Sequence, residues 1–213
     1  MNVEERVARV KLVPVVVIED AARAEGLAEA MVAGGLPVAE VTFRTPAAAD
    51  AIRIMSRNAG MLVGAGTILT VAQAELALDS GAQFIVSPGF SREVVSFCLE
   101  RGIPVFPGAT SATDMTAAVE LGLSVVKFFP AETNGGAAAI KAYSAPFGQL
   151  RFMPTGGISD KNLDQYLALP QVLAVGGSWM VPQKLIADGE FDRITELCRE
   201  AVALANECRK ERT

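Results

Sequence analysis

Short, mainly apolar runs alternate with longer amphipathic ones along this chain, and the alternation repeats eight times. The apolar runs are Leu12–Ile18, Val38–Phe43, Met61–Gly66, Phe84–Ser87, Pro104–Pro107, Ser124–Pro130, Arg151–Thr155 and Val172–Gly176. They are four to seven residues long, and most are rich in β-branched residues with no polar face. That is the pattern of strands in a parallel sheet covered by helices on both sides. The windows between them predict helices over Val3–Val10, Ala21–Ala33, Ala47–Asn58, Val71–Ser80, Ser91–Arg101, Ser111–Leu121, Gly136–Ala145, Asn162–Leu169 and Phe191–Arg209. Glycines at Gly34-Gly35, Gly81 and Gly102 close three of these helices.

A strand followed by a helix every 20 to 27 residues or so is the spacing of a βα unit. Eight units predict a single-domain (β/α)8 TIM barrel over residues 1–213, entered through an N-terminal helix. An open doubly wound sheet is the alternative. It calls for a glycine-rich loop after the first strand, where this chain has Glu19-Asp20-Ala21-Ala22. No linker or low-complexity segment interrupts the pattern.

Composition narrows the function. Net charge is −5 with no basic run, which argues against nucleic acid or an anionic membrane surface as a partner. It leaves open a small anionic substrate held by a local cluster of donors. No apolar run reaches the ~18 residues of a membrane span, and the charged start lacks the apolar segment of a signal peptide. Three cysteines without a CxxC read as reduced thiols of a cytoplasmic protein. Histidine is absent, which removes His-based triads, His general bases and His metal ligands.

In a barrel the active site lies at the C-terminal ends of the strands, and polar residues and glycines collect there in this chain. Lys127 is the one lysine inside a predicted strand; Lys141, Lys161, Lys184 and Lys210 fall in helices or loops, and Lys11 precedes the first strand. An unpaired ammonium in a dry interior is costly. A neutral amine on a rigid strand is what Schiff-base chemistry requires. The plainer alternative is a strand-end lysine snorkelling to water.

Glu40 and Arg44 are four apart on one strand and share a face. At about 13 Å of separation they cannot pair, but they could line two depths of one pocket. Glu40 suits a general acid or base, unless it is a surface residue at the strand end; Arg44 suits a two-pronged grip on a carboxylate. Paired glycines end the last two strands: Gly156-Gly157, then Gly176-Gly177 followed by Ser178. Backbone N–H groups in those two loops are the usual phosphate site of a barrel; the alternative is ordinary turn glycine.

Six motifs, in this order, resemble one family: Glu-Val-Thr-Phe-Arg-Thr (40–45), Gly-Ala-Gly-Thr (64–67), Ser-Pro-Gly (87–89), Lys-Phe-Phe-Pro-Ala-Glu (127–132), Pro-Thr-Gly-Gly-Ile (154–158) and Gly-Gly-Ser-Trp (176–179). The family is that of the 2-keto-3-deoxy-6-phosphogluconate aldolases, often bifunctional as 4-hydroxy-2-oxoglutarate aldolases. The resemblance covers nearly the whole chain. It implies a cytoplasmic, homotrimeric class I aldolase on a (β/α)8 barrel that uses no metal or other cofactor. Its substrate would be a small keto-acid sugar phosphate, and its products pyruvate and glyceraldehyde 3-phosphate, in the Entner–Doudoroff pathway.

By the same resemblance, Lys127 would be the Schiff-base lysine and Glu40 the proton shuttle. Arg44 and Thr67 would hold the pyruvate carboxylate end, and Thr155 would sit near the substrate hydroxyl. Pro88 and Phe129 would shape the pocket, and Gly156, Gly157, Gly176, Gly177 and Ser178 would bind phosphate. Three rivals stay open: an aldolase for the galactonate-configured or unphosphorylated analogue, a non-catalytic sugar-phosphate-binding barrel, and an isomerase or epimerase barrel. The last commonly relies on histidine or a metal, so the missing histidine counts against it.

Overall fold

Eight parallel strands alternate with helices in the computed structural model, which describes residues 1–210. The strands are β1 (Leu12–Val16), β2 (Val38–Thr42), β3 (Leu62–Gly66), β4 (Ile85–Val86), β5 (Val105–Phe106), β6 (Val125–Phe128), β7 (Arg151–Pro154) and β8 (Val175–Gly177). Helices α1 (Val3–Val10), α2 (Ala24–Ala33), α3 (Ala48–Met55), α4 (Val71–Asp79), α5 (Arg92–Glu100), α6 (Ala112–Glu120), α7 (Gly136–Ser144), α8 (Leu163–Leu167), α9 (Gln183–Asp188) and α10 (Phe191–Lys210) fill the intervals. No helix among the described residues is long and apolar enough to cross a membrane.

Six strands form one sheet in the order β5-β4-β3-β2-β1-β8, and β6 pairs with β7 in a second ladder. Every pairing is parallel. Isolated bridges link the two ladders: Gly108 to Lys127 on one side, Phe152 to Val172 and Thr155 to Gly176 on the other. Around the first bridge, the Ala109 N–H donates to the Lys127 carbonyl and the Lys127 N–H to the Pro107 carbonyl, each at 2.8 Å. The result is an α/β fold with a curled parallel sheet.

The strands are apolar on both faces because both faces are buried. Val13, Val38, Leu62, Phe84, Phe106, Val125 and Met153 pack against one another inside the curl, and α1 adds Val7 to this cluster. A larger cluster fills the space between sheet and helices. Helix starts follow local chemistry. Asn2 and Glu5 form a reciprocal capping box at α1, Ser111 and Asp114 another at α6, and Ser91 caps α5.

Boundaries differ from the sequence reading in three places. Most strands are shorter, since flanking apolar residues are buried by packing without joining a ladder. β8 begins at Val175 rather than Val172: Val172 only bridges Phe152, while pairing with β1 starts at Leu12 and Val175. Gly176 and Gly177 therefore both lie within β8, not one in the strand and one in the loop. Helix α9, and the 3-10 turns Ala21–Arg23 and Glu132–Asn134, were not legible as separate elements.

Candidate active site

β2 and β6 deliver the two reactive side chains to one place. Lys127 Nζ donates to Glu40 Oε1 at 2.8 Å, with side chains only 6% and 1% exposed. The two residues are 87 apart in sequence. The amine is thus not isolated among aliphatic neighbours, as the β6 run alone suggests; a carboxylate from β2 meets it. Glycine makes the room. Gly64 is the register partner of Glu40 on β3. A Cβ at Gly66 would overlap Glu40 Oε1 and lie 2.5 Å from its Cγ. The Phe129 ring centroid is 5.2 Å from Nζ and walls one side.

Two buried side-chain oxygens have no hydrogen-bond partner among the described residues: Glu40 Oε2 and Thr155 Oγ1. Each such orphan costs about 1–3 kcal/mol. Groups of this kind need a specific explanation, and a polar substrate that reaches both would supply one. Thr155 is held against β8, where a Cβ at Gly176 would come within 3.0 Å of its Cβ and Cγ2.

Thr67, at the end of β3, has φ +59°. This left-handed conformation is unusual for a β-branched residue, and such strain concentrates at functional sites. Pro88 approaches the end of β5 closely: a Cβ at Gly108 would overlap the Pro88 carbonyl. Arg44 is exposed in the turn after β2 and makes no hydrogen bond or ion pair with any described residue. The structure therefore gathers Glu40, Lys127 and Phe129 tightly, with Thr155 close to β8, and leaves Arg44 and Ser178 exposed at the rim.

The β7–α8 loop needs its glycines, with φ +100° at Gly156 and +79° at Gly157. The β6–α7 connection ties it down from behind: Ala131 N–H donates to the Thr155 carbonyl at 2.8 Å and Glu132 N–H to the Gly156 carbonyl at 3.1 Å. Gly156 N–H faces β8 at the Thr155–Gly176 bridge, whereas Gly157 N–H has no acceptor among the described residues. Across from them the Trp179 ring covers Gly177, with no space for a Cβ between. Sequence reasoning did not single out Gly66, Gly108, Glu132, Tyr166 or Trp179. Their contacts arise only when separate loops meet, although Gly66, Glu132 and Trp179 stand inside the quoted motifs.

A dry lysine paired to a carboxylate, beside a free backbone donor at Gly157 near the C-terminal edge of a parallel sheet, is suited to forming an imine with an anionic ketone. That is the chemistry of a lysine-dependent carbon–carbon lyase. The chain belongs to the aldolase family described as "KDPG and KHG aldolase", whose model matches residues 3–197. A relative in Treponema pallidum named 2-dehydro-3-deoxy-phosphogluconate aldolase is 49% identical, covering 96% of this chain and 98% of that one. Two solved structures are also similar. One is the 2-keto-3-deoxy-6-phosphogluconate aldolase of Zymomonas mobilis with 3-phosphoglycerate (TM-score 0.88, 43% identity, covering 95% and 96% of the two chains). The other is the Legionella pneumophila enzyme with pyruvate captured as a covalent carbinolamine (TM-score 0.89, 41% identity, covering 92% and 96%).

Proposed function

We propose that this protein is a class I aldolase that cleaves 2-keto-3-deoxy-6-phosphogluconate to pyruvate and glyceraldehyde 3-phosphate. The observation that carries this reading is the buried 2.8 Å contact between Lys127 Nζ and Glu40 Oε1. Passing a proton between the two leaves the net charge of the pocket unchanged, so a neutral amine forms without creating a lone buried charge. Neutral Lys127 attacks C2 of the substrate, and Glu40 supplies the protons that expel water from the carbinolamine to give the iminium. Glu40 then takes the C4 hydroxyl proton, through a water molecule. The C3–C4 bond breaks, C4 leaves as the aldehyde, and the electron pair moves into the iminium to give an enamine. Protonation at C3 and hydrolysis release pyruvate and restore the amine.

Around these two, Arg44 and strained Thr67 hold the carboxylate end, and Thr155 Oγ1 meets a substrate hydroxyl. Pro88 and Phe129 shape the pocket. Gly156, Gly157, Gly176, Gly177 and Ser178 receive the phosphate. The orphaned Thr155 oxygen and the unpaired Gly157 N–H support these roles. The family description also supports cleavage of 4-hydroxy-2-oxoglutarate at the same site.

The bridges between the two ladders support a closed (β/α)8 barrel, in one domain over residues 1–213, of which 211–213 lie outside the described residues. Assembly as a homotrimer in the cytoplasm belongs to the same reading; sedimentation equilibrium tests the trimer. The decisive experiment is borohydride trapping with pyruvate, which should attach a reduced pyruvyl group to Lys127. No adduct, or one on another lysine, would refute the assignment.

A further inference from the structure

Glu132 and Tyr166 form a contact that the proposed chemistry does not use. Tyr166, on α8, is fully buried, and its hydroxyl donates to Glu132 Oε1. Burial, then the hydrogen bond and charge of Glu132, push the tyrosine well above its ordinary value of 10.0, so it stays protonated as a donor. Glu132, in the β6–α7 connection, packs against the β7–α8 loop. Its backbone N–H holds the Gly156 carbonyl, and its Cγ and Cβ would stand 2.6 and 2.8 Å from a Cβ at Gly157. The first residue of α7 completes the cluster, since a Cβ at Gly136 would be 3.2 Å from the Tyr166 hydroxyl and 3.3 Å from Glu132 Oε1. Three elements, the β6–α7 turn, the β7–α8 loop and α8, thus meet at one hydrogen bond.

We propose that the Tyr166–Glu132 pair is a positioning device for phosphate recognition, clamping the Gly156–Gly157 segment with the Gly157 N–H turned to the ligand. Two features carry the inference. The β6–α7 connection that carries Glu132 holds the Thr155 and Gly156 carbonyls, and the Gly157 N–H beside them has no acceptor among the described residues. Neither Tyr166 nor Glu132 hydrogen-bonds Lys127 or Glu40, so the clamp acts on the loop and not directly on the reacting pair. The inference rests on the phosphate role given above to these glycines.

The test compares a phosphorylated substrate with an unphosphorylated one. Tyr166→Phe removes the donor and keeps the ring in the core. It should raise KM for 2-keto-3-deoxy-6-phosphogluconate about tenfold, the loss expected for a hydrogen bond to a charged acceptor. Its kcat, and its KM for 4-hydroxy-2-oxoglutarate, should stay within about twofold of the parent. Glu132→Gln keeps an acceptor oxygen and should retain most of the affinity, whereas Glu132→Ala should behave like Tyr166→Phe.

Glu132 is exposed, so its variants keep the test open should Tyr166→Phe fold poorly. Trp179, the one tryptophan, covers Gly177, so its fluorescence should change when inorganic phosphate binds. Equal losses on both substrates, or no loss on either, would overturn the clamp. A parent protein that neither binds nor is inhibited by inorganic phosphate would instead overturn the phosphate reading, and the clamp with it.

Discussion

Replacing Gly66 with alanine adds one methyl group and tests the geometry at its tightest point. Gly66 lies in β3 without a positive φ, so alanine strains no backbone. The new Cβ would overlap Glu40 Oε1 and sit 2.5 Å from Cγ and 2.7 Å from Cδ. Ordinary contact begins at 3.4 Å, so Cγ and Cδ must retreat by roughly 0.7–0.9 Å and Oε1 by more. Glu40 has a side chain only 1% exposed and is held by Lys127 Nζ, so moving the carboxylate disturbs that contact. A misplacement near 1 Å costs about 10²-fold in rate, or roughly 2.7 kcal/mol of transition-state stabilisation. Pyruvate release coupled to lactate dehydrogenase measures this as kcat/KM. Circular dichroism and Tm keep it separate from the ~1–3 kcal/mol that overpacking takes from stability. Gly148→Ala, where the nearest atom is 3.8 Å away, is the neutral control. A folded Gly66→Ala protein within about threefold of the parent would refute the claim that Glu40 acts from the observed position.

Two further outcomes follow from buried groups. Lys127→Met should abolish turnover and destabilise the fold by about 3–5 kcal/mol, because it strands Glu40 as an uncompensated buried charge. Adding Glu40→Gln should restore much of that stability but no activity; chemical denaturation checks both, and additive losses would contradict the pairing. Burial raises the Cys198 thiol from 9.0 to about 12, and raises Cys98 to about 11 against a lowering by Arg101. Their folded values exceed their unfolded ones, so their contribution to stability is complete below pH 9 and lost as pH rises towards 11–12. Tm should therefore fall above pH 9, and Cys198→Ala should flatten the fall; an unchanged slope would count against it.

Much of the architecture was legible because burial on both faces forces an apolar run in each strand, and capping chemistry is local. Val3–Val10 was read with its observed bounds for that reason. β8 was misplaced because Val172-Leu173-Ala174 are apolar core residues, and hydrophobicity does not distinguish packing from pairing. The short helix α9 lacks a side-chain cap that would announce it.

At the site, the residue types were legible and their relations were not. A lysine within an apolar strand and glycine pairs at the last two strand ends carry their meaning locally, through the cost of burying an amine and the freedom of positive φ. The meeting of Lys127 with Glu40 across 87 residues is a different kind of fact. So are the slot left by Gly66 for a carboxylate and the hold of Tyr166 on Glu132 across 34 residues. Side-chain period and composition state which face a residue takes on its own element. Which face of another element it meets depends on the curl of the sheet and the strand register, and these are set by packing summed over the whole chain.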